Sequence, residues 1–195
     1  MIDTIYLDMD DVCNRFTMYA LQEMGCGPMA YEEKHYPIEC GFDIVAACNR
    51  LHPTKKDWSL QSFWNSVKRH LWATVPESLE FRRLLNSCSK LVGKDRVILL
   101  TSPTLCPDSL AGKLEWIQAF CPPWMHRQYL IGPVKWSCAR PGALLIDDAD
   151  KNIRSFRKAG GEAILVPRPW NSLECIAEST PEYIEAMLRS YREAN

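Results

Sequence analysis

The sequence predicts an α/β fold: a Rossmann-like parallel sheet flanked by helices, with a small, mainly helical cap inserted after the first strand. Three observations carry this expectation. The short apolar runs are continuous rather than alternating, as suits strands buried on both faces of a parallel sheet. Stretches with apolar residues at helical spacing separate them. Between the first two runs lies far more chain than the ~30 residues of one strand–helix–strand unit.

The elements follow in order. Thr4 to Leu7 is the first expected strand, a short run ending in acid. From Asp10 to Arg96 there is no convincing core strand, and roughly 50 residues exceed what one crossover needs. That stretch holds Trp58, Phe63, Trp64 and Trp72. Residues 17–76 are read as the cap, which leaves 1–16 and 77–195 as the core. Leu79, Phe81, Leu84 and Leu85 form a helical stripe before Gly93, and Arg96 to Leu100 (RVILL) is the second strand. Leu114, Ile117 and Phe120 mark a helix stopped by Pro122-Pro123, and Tyr129 to Ile131 is a short further strand. Ala143 to Ile146 (ALLI) again ends in acid. Ile153, Phe156 and Ala159 lead to a stop at Gly160, and Ala163 to Val166 follows the Gly160-Gly161 turn. Thr180-Pro181 supplies a cap and a first-turn proline for a last helix, with Tyr183, Ile184, Met187, Leu188 and Tyr191 on one face.

Composition narrows the function. Lysine and arginine total 23 and aspartate and glutamate 24, a net charge of −1, without the basic surplus of a nucleic-acid binder. No stretch approaches the ~18 apolar residues of a membrane span. The N-terminal MIDTIYLDMDD lacks the basic and apolar regions of a secretory signal. The nine cysteines include no CxxC pair, so a thiolate zinc site is not expected. Reduced, mostly buried thiols in a cytoplasmic protein are expected instead. His35, His52, His70 and His126 show no metal spacing.

Chemistry concentrates at the strand ends. One reads Asp8-Met9-Asp10-Asp11, another Asp147-Asp148. Open α/β sheets bind ligands beyond the carboxyl ends of their strands. Carboxylates gathered there repel one another, and a hard divalent cation relieves the repulsion. Mg²⁺ takes one or two carboxylates together with phosphate oxygens. The second strand runs into Thr101-Ser102-Pro103, whose hydroxyls suit a phosphate oxygen. Lys135, on the approach to the acid-ended Ala143 to Ile146 strand, would supply a point charge for phosphate, with Lys113 as a second candidate. Taken singly these residues are turn formers, helix caps and solvated charges. Their joint order after apolar strands points to phosphate chemistry.

These residues resemble a known family. IYLDMDDVCNRF is similar to motif I of the haloacid dehalogenase-like (HAD) phosphatase superfamily, LLTSP to motif II, Lys135 to the motif III lysine and LLIDD to motif IV. The 5′(3′)-deoxyribonucleotidase branch is closer still, with DMDGV followed by Phe, then TSP and a KxxW helix. Asp8 to Val12, Phe16, Thr101 to Pro103, and Lys113 with Trp116 correspond here. The resemblance spans most of the core, from about residue 3 to about residue 150, with the cap only loosely similar, and implies a HAD-like fold. It makes Asp8 the nucleophile that forms an aspartyl-phosphate and Asp10 the general acid and then base. It places Mg²⁺ on Asp8, the Asp10 main-chain carbonyl and Asp148, with Asp147 orienting the group from behind. Thr101, Ser102 and Lys135 would hold phosphoryl oxygens. Phe16 matches the family's base-stacking phenylalanine, and Trp58, Trp64 and Trp72 would wall a base pocket. Trp64 and Trp72 also fit a plain packing stripe, being two helical turns apart.

Two departures stand out. Asp11 occupies the place of the usual glycine, where it either adds charge beside an anionic substrate or points into solvent. The Trp136 to Gly142 stretch is longer than the family pattern, which leaves Lys135 and Lys113 both open as the phosphate-binding lysine. The expected activity is Mg²⁺-dependent hydrolysis of a (deoxy)nucleoside monophosphate. The alternatives are another small monoester such as a sugar phosphate, or a catalytically silent ligand-binding relative. A small-molecule phosphate is the expected partner, with no nucleic-acid polymer and no membrane, and a homodimer is open. A signalling receiver domain is excluded, because its acceptor would fall near Asp57, which follows PTKK rather than an apolar strand.

Overall fold

A computed structural model describes residues 1–27, 32–54 and 57–193. Strands β1 (Thr4–Leu7), β2 (Val97–Thr101), β3 (Tyr129–Ile131), β4 (Ala143–Asp147) and β5 (Glu162–Leu165) form one five-stranded sheet in the order β3-β2-β1-β4-β5. Every pairing is parallel. This is the strand order of a Rossmann-type α/β sheet, with its switch point between β1 and β4.

Side-chain alternation divides the sheet's apolar residues between two faces. Ile5, Leu7, Leu144, Ile146 and Ile164 enter the larger core, while Leu145, Ala163 and Leu165 join a smaller one with Ile153 and Phe156. Both faces are thus covered, which is why the runs are apolar throughout. The register sets Leu7 opposite Leu99 and Ile146, so the carboxyl ends of β1, β2 and β4 lie side by side. Strand ends differ slightly from expectation. Arg96 belongs to a 3₁₀ turn, so β2 starts at Val97 and runs on to Thr101, which pairs with Ile131. Strand β5 starts at Glu162, paired with Leu144, and ends at Leu165.

The described part of residues 17–76 consists of short helices and 3₁₀ turns joined by loops; positions 28–31 and 55–56 of the expected cap lie outside the described residues. The helices are α1 (Phe16–Glu23), α2 (Ile44–Leu51), α3 (Leu60–Ser66) and α4 (Arg69–Thr74). Asp43 caps α2 by accepting from Val45 N and Ala46 N, and Ser59 caps α3 through Ser62 N. Met18, Leu21, Val45, Phe63 and Trp72 share the larger core with β1 and β2. A separate core and cap is therefore a proposal from the sequence, laid over one continuous apolar interior.

The remaining helices cover the sheet: α5 (Phe81–Val92), α6 (Pro107–Phe120), α7 (Asp150–Lys158) and α8 (Thr180–Glu193). Gly93, at φ 85°, ends α5 in a conformation open chiefly to glycine. Helix α6 begins on its proline and stops ahead of Pro122-Pro123. Among the described residues no helix is long and apolar enough to cross a membrane.

Candidate active site

The loop after β1 forms the floor of the site. Asp8 N extends the ladder to Ile146 O at 2.9 Å, and the chain then turns sharply. Asp11 is the one non-glycine residue with positive φ among those described, at 58°. Aspartate tolerates this left-handed region better than most residues. Its carboxylate accepts from Thr17 N at 2.8 Å and Thr17 Oγ1 at 2.6 Å, capping the first turn of α1. Arg168 Nε donates to the Asp11 carbonyl at 2.7 Å. Asp11 does not point into solvent: it is 6% exposed and tied to α1.

Asp8, Asp147 and Asp148 each place one carboxylate oxygen within 4.8 Å of the others. Lys135, 3% exposed, bridges Asp8 Oδ1 and Asp147 Oδ2 at 2.7 Å each. Asp147 is otherwise satisfied by Ala149 N at 2.9 Å and by Asn152 Nδ2 at 3.0 and 3.1 Å. Asp8 Oδ1 also accepts from Met9 N at 2.7 Å, and Trp170 Nε1 donates to Asp148 Oδ2 at 2.7 Å. Asp8 Oδ2 and Asp148 Oδ1 accept no hydrogen bond among the described residues. Two carboxylates that line one cavity, each with an oxygen free of hydrogen bonds, form a donor set suited to a hard cation such as Mg²⁺.

The electrostatics agree with that fit. Burial pushes the Asp8 carboxyl up to about 7, with Asp147 and Asp10 adding repulsion and Lys135 opposing. Burial also drives Asp148 well above the usual carboxylate range, helped by the charges of Asp11, Asp147 and Asp8. Burial alone would lower Lys135, but the charges of Asp8 and Asp147 outweigh it and hold the ammonium protonated.

Asp10 faces a different partner. Its carboxylate pairs with Lys113 of α6 and accepts from Asn14 Nδ2 at 3.3 Å. Lys113 is fully buried, donates to Thr101 Oγ1 at 2.9 Å and sits 4.8 Å from the centre of the Trp72 ring. The two candidate lysines are thereby separated: Lys135 lines the cavity over the acids, whereas Lys113 lies behind Asp10. Thr101 is fully buried against Lys113, and Ser102 is the motif's residue at the cavity surface.

The cavity measures about 560 Å³. Asp8, Asp10, Asp148 and Lys135 line one part, and Phe16, Tyr36, Trp64, Trp72 and Trp170 provide aromatic walls. Phe16 stacks on Trp72 with centroids 4.2 Å apart, and Trp64 lies parallel to both rings, at 6.2 Å from Phe16 and 6.3 Å from Trp72. Trp72 therefore both packs in the core and lines the cavity, while Trp58 packs edge-on to Phe63 elsewhere. Cys13 donates its thiol to the Asp8 carbonyl at 3.0 Å. Sequence reasoning missed Trp170, Tyr36, Asn152 and Thr104. A signal existed for Trp170, because the PRPWN segment follows the carboxyl end of β5, where the strand-end rule applies equally.

No family model matches the chain, and no curated protein matches it. Solved structures are similar in chain path. A HAD family hydrolase from Deinococcus radiodurans, determined with bound phosphate and sodium, matches at a TM-score of 0.49 and 16% identity, over 96% of this chain and 97% of that one. L-2-haloacid dehalogenase from Xanthobacter autotrophicus matches at 0.49 and 9% identity, over 96% and 88%. A HAD family enzyme from Bacteroides thetaiotaomicron, in complex with magnesium and inorganic phosphate, matches at 0.38 and 11%, over 90% and 99%. Likeness at this level concerns the fold alone.

Proposed function

We propose that this protein is a Mg²⁺-dependent phosphatase that hydrolyses a small phosphate monoester through an aspartyl-phosphate, with a (deoxy)nucleoside monophosphate as substrate. The observation that carries the reading is the pair of unpartnered oxygens, Asp8 Oδ2 and Asp148 Oδ1, beside Lys135 in a cavity with aromatic walls.

Asp8 attacks phosphorus, and the bond from phosphorus to the leaving oxygen breaks. Asp10 delivers the proton that the leaving alkoxide needs. A water then attacks the aspartyl-phosphate, Asp10 removes its proton, and inorganic phosphate departs with Asp8 regenerated. Lys135 and the Ser102 hydroxyl hold the non-bridging oxygens, and positioning of this kind supplies most of the rate in phosphoryl transfer. Asp8, Asp148 and the Asp10 carbonyl would hold Mg²⁺, which when bound neutralises charge on the transferring group. The nucleotide reading rests on the aromatic walls, whose faces suit a base, and on the deoxyribonucleotidase-like motifs.

A panel of phosphate monoesters, assayed for released phosphate with Mg²⁺, tests both levels. Pyrimidine deoxynucleotides should be turned over faster than sugar phosphates; equal rates would remove the nucleotide reading and keep the phosphatase. Asp8→Asn should abolish turnover with the fold intact. Full activity in that variant would take the nucleophile's role from Asp8.

A further inference from the structure

Trp170 follows β5, and the proposed reaction gives it no task. Its indole N–H is nonetheless committed to one oxygen of Asp148, at 2.7 Å. The ring is 5% exposed and held edge-on by Tyr36, with centroids 5.0 Å apart and planes at 63°. Tyr36 is itself fixed, since its hydroxyl donates to the Gly41 carbonyl at 2.7 Å. The next residue completes the grip: Asn171 Nδ2 donates to the Asp148 carbonyl at 2.8 Å and to Val166 O at 2.7 Å. Consecutive residues therefore hold both the main chain and the side chain of Asp148.

A carboxylate that binds a cation through one oxygen must present that oxygen, and its terminal torsion is soft. A rigid donor on the other oxygen removes that freedom. We propose that Trp170 is a positioning residue: by holding Asp148 Oδ2 it turns Oδ1 toward Asp8 and sets the affinity of the acid pair for a divalent cation. The inference rests on the reading of this pair as a Mg²⁺ site. Partners of this kind, hydrogen-bonded to ligating side chains, typically change metal affinity by about 10–100-fold when removed.

The test titrates Mn²⁺ into the protein, followed by electron paramagnetic resonance of the free ion, with Mg²⁺ as competitor. Three proteins are compared: wild type, Trp170→Phe, and a protein carrying benzothienylalanine at this position, which keeps the indole shape and replaces N–H by sulfur. Both variants should bind Mn²⁺ about tenfold or more weakly, with the benzothienyl protein still melting in one cooperative transition without cation. If Trp170→Phe fails to fold, the benzothienyl protein decides alone. Affinities equal to wild type would overturn the positioning role and leave the phosphatase reading standing. Absence of any Mn²⁺ binding by wild type would overturn both.

Discussion

Asp11 sits in backbone space that favours glycine and is held there by its own side chain. A left-handed residue with a Cβ costs roughly 1–2 kcal/mol, and the two hydrogen bonds from Thr17 offset that cost. Asp11→Gly gains backbone freedom and loses both bonds, whereas Asp11→Ala loses the bonds and keeps the strain. The alanine variant should therefore be about 1 kcal/mol less stable than the glycine variant in urea unfolding; equal midpoints would show that the φ of 58° carries no strain. Lys113 makes a second case. Removing one member of a buried ion pair costs ~3–5 kcal/mol, and Asp10 keeps 21% of its side chain in solvent, so Lys113→Met should fall toward the lower end by the same unfolding measurement. Asp8 and Asp148 were legible because each follows an apolar strand directly. The burial of Thr101 and the bond from Trp170 were not, since each depends on a partner distant in the chain.

Helix packing explains how the aromatic wall is held. Gly112 lies inside α6 where that helix meets α4, and a Cβ there would sit 2.4 Å from Trp72 Cβ and 2.6 Å from Arg69 O. A glycine within a helix lowers its stability by about 1 kcal/mol relative to alanine, so its presence signals a close approach of backbones. Gly112→Ala should push α4 away and destabilise the fold by roughly 1–3 kcal/mol, as overpacking does. Because Trp72 lines the cavity wall while Asp8 is held by Lys135 and Met9 N, KM should rise more than kcat falls; an unchanged KM would separate Trp72 from substrate binding. The helices and their stops at Gly93 and Pro122-Pro123 were readable from spacing and backbone chemistry, but Leu79, expected on the buried stripe of α5, precedes that helix and is exposed. The Gly112 approach was not, because it depends on which helix lies opposite.

The whole fold responds to pH through its buried acids. The carboxyls of Asp8 and Asp11 move from the ordinary 3.8 up to about 7, mainly through burial. A raised folded-state value means that the folded chain binds protons more tightly than the unfolded one between these limits. The contribution of these two acids to the stability of the cation-free protein should therefore be full below about pH 4 and be lost as pH rises through about 7. If Mg²⁺ binds at Asp8 and Asp148 as proposed, it would replace the lost protons there, and melting temperatures with Mg²⁺ and with a chelator should diverge as pH increases. Parallel curves would argue against a cation at this pair. The order of apolar runs and acid pairs was enough to specify a parallel sheet and to put Asp8 and Asp148 at one edge of it, because strand burial and strand ends are local properties of the chain. Which lysine faces the cavity, which hydroxyl reaches it and what orients Asp148 were settled only by folding. Lys113 meets Asp10 across 103 positions and Trp170 meets Asp148 across 22, and such encounters follow from the packing of α6 and of the β5–α8 connection on the sheet, not from spacing along the chain.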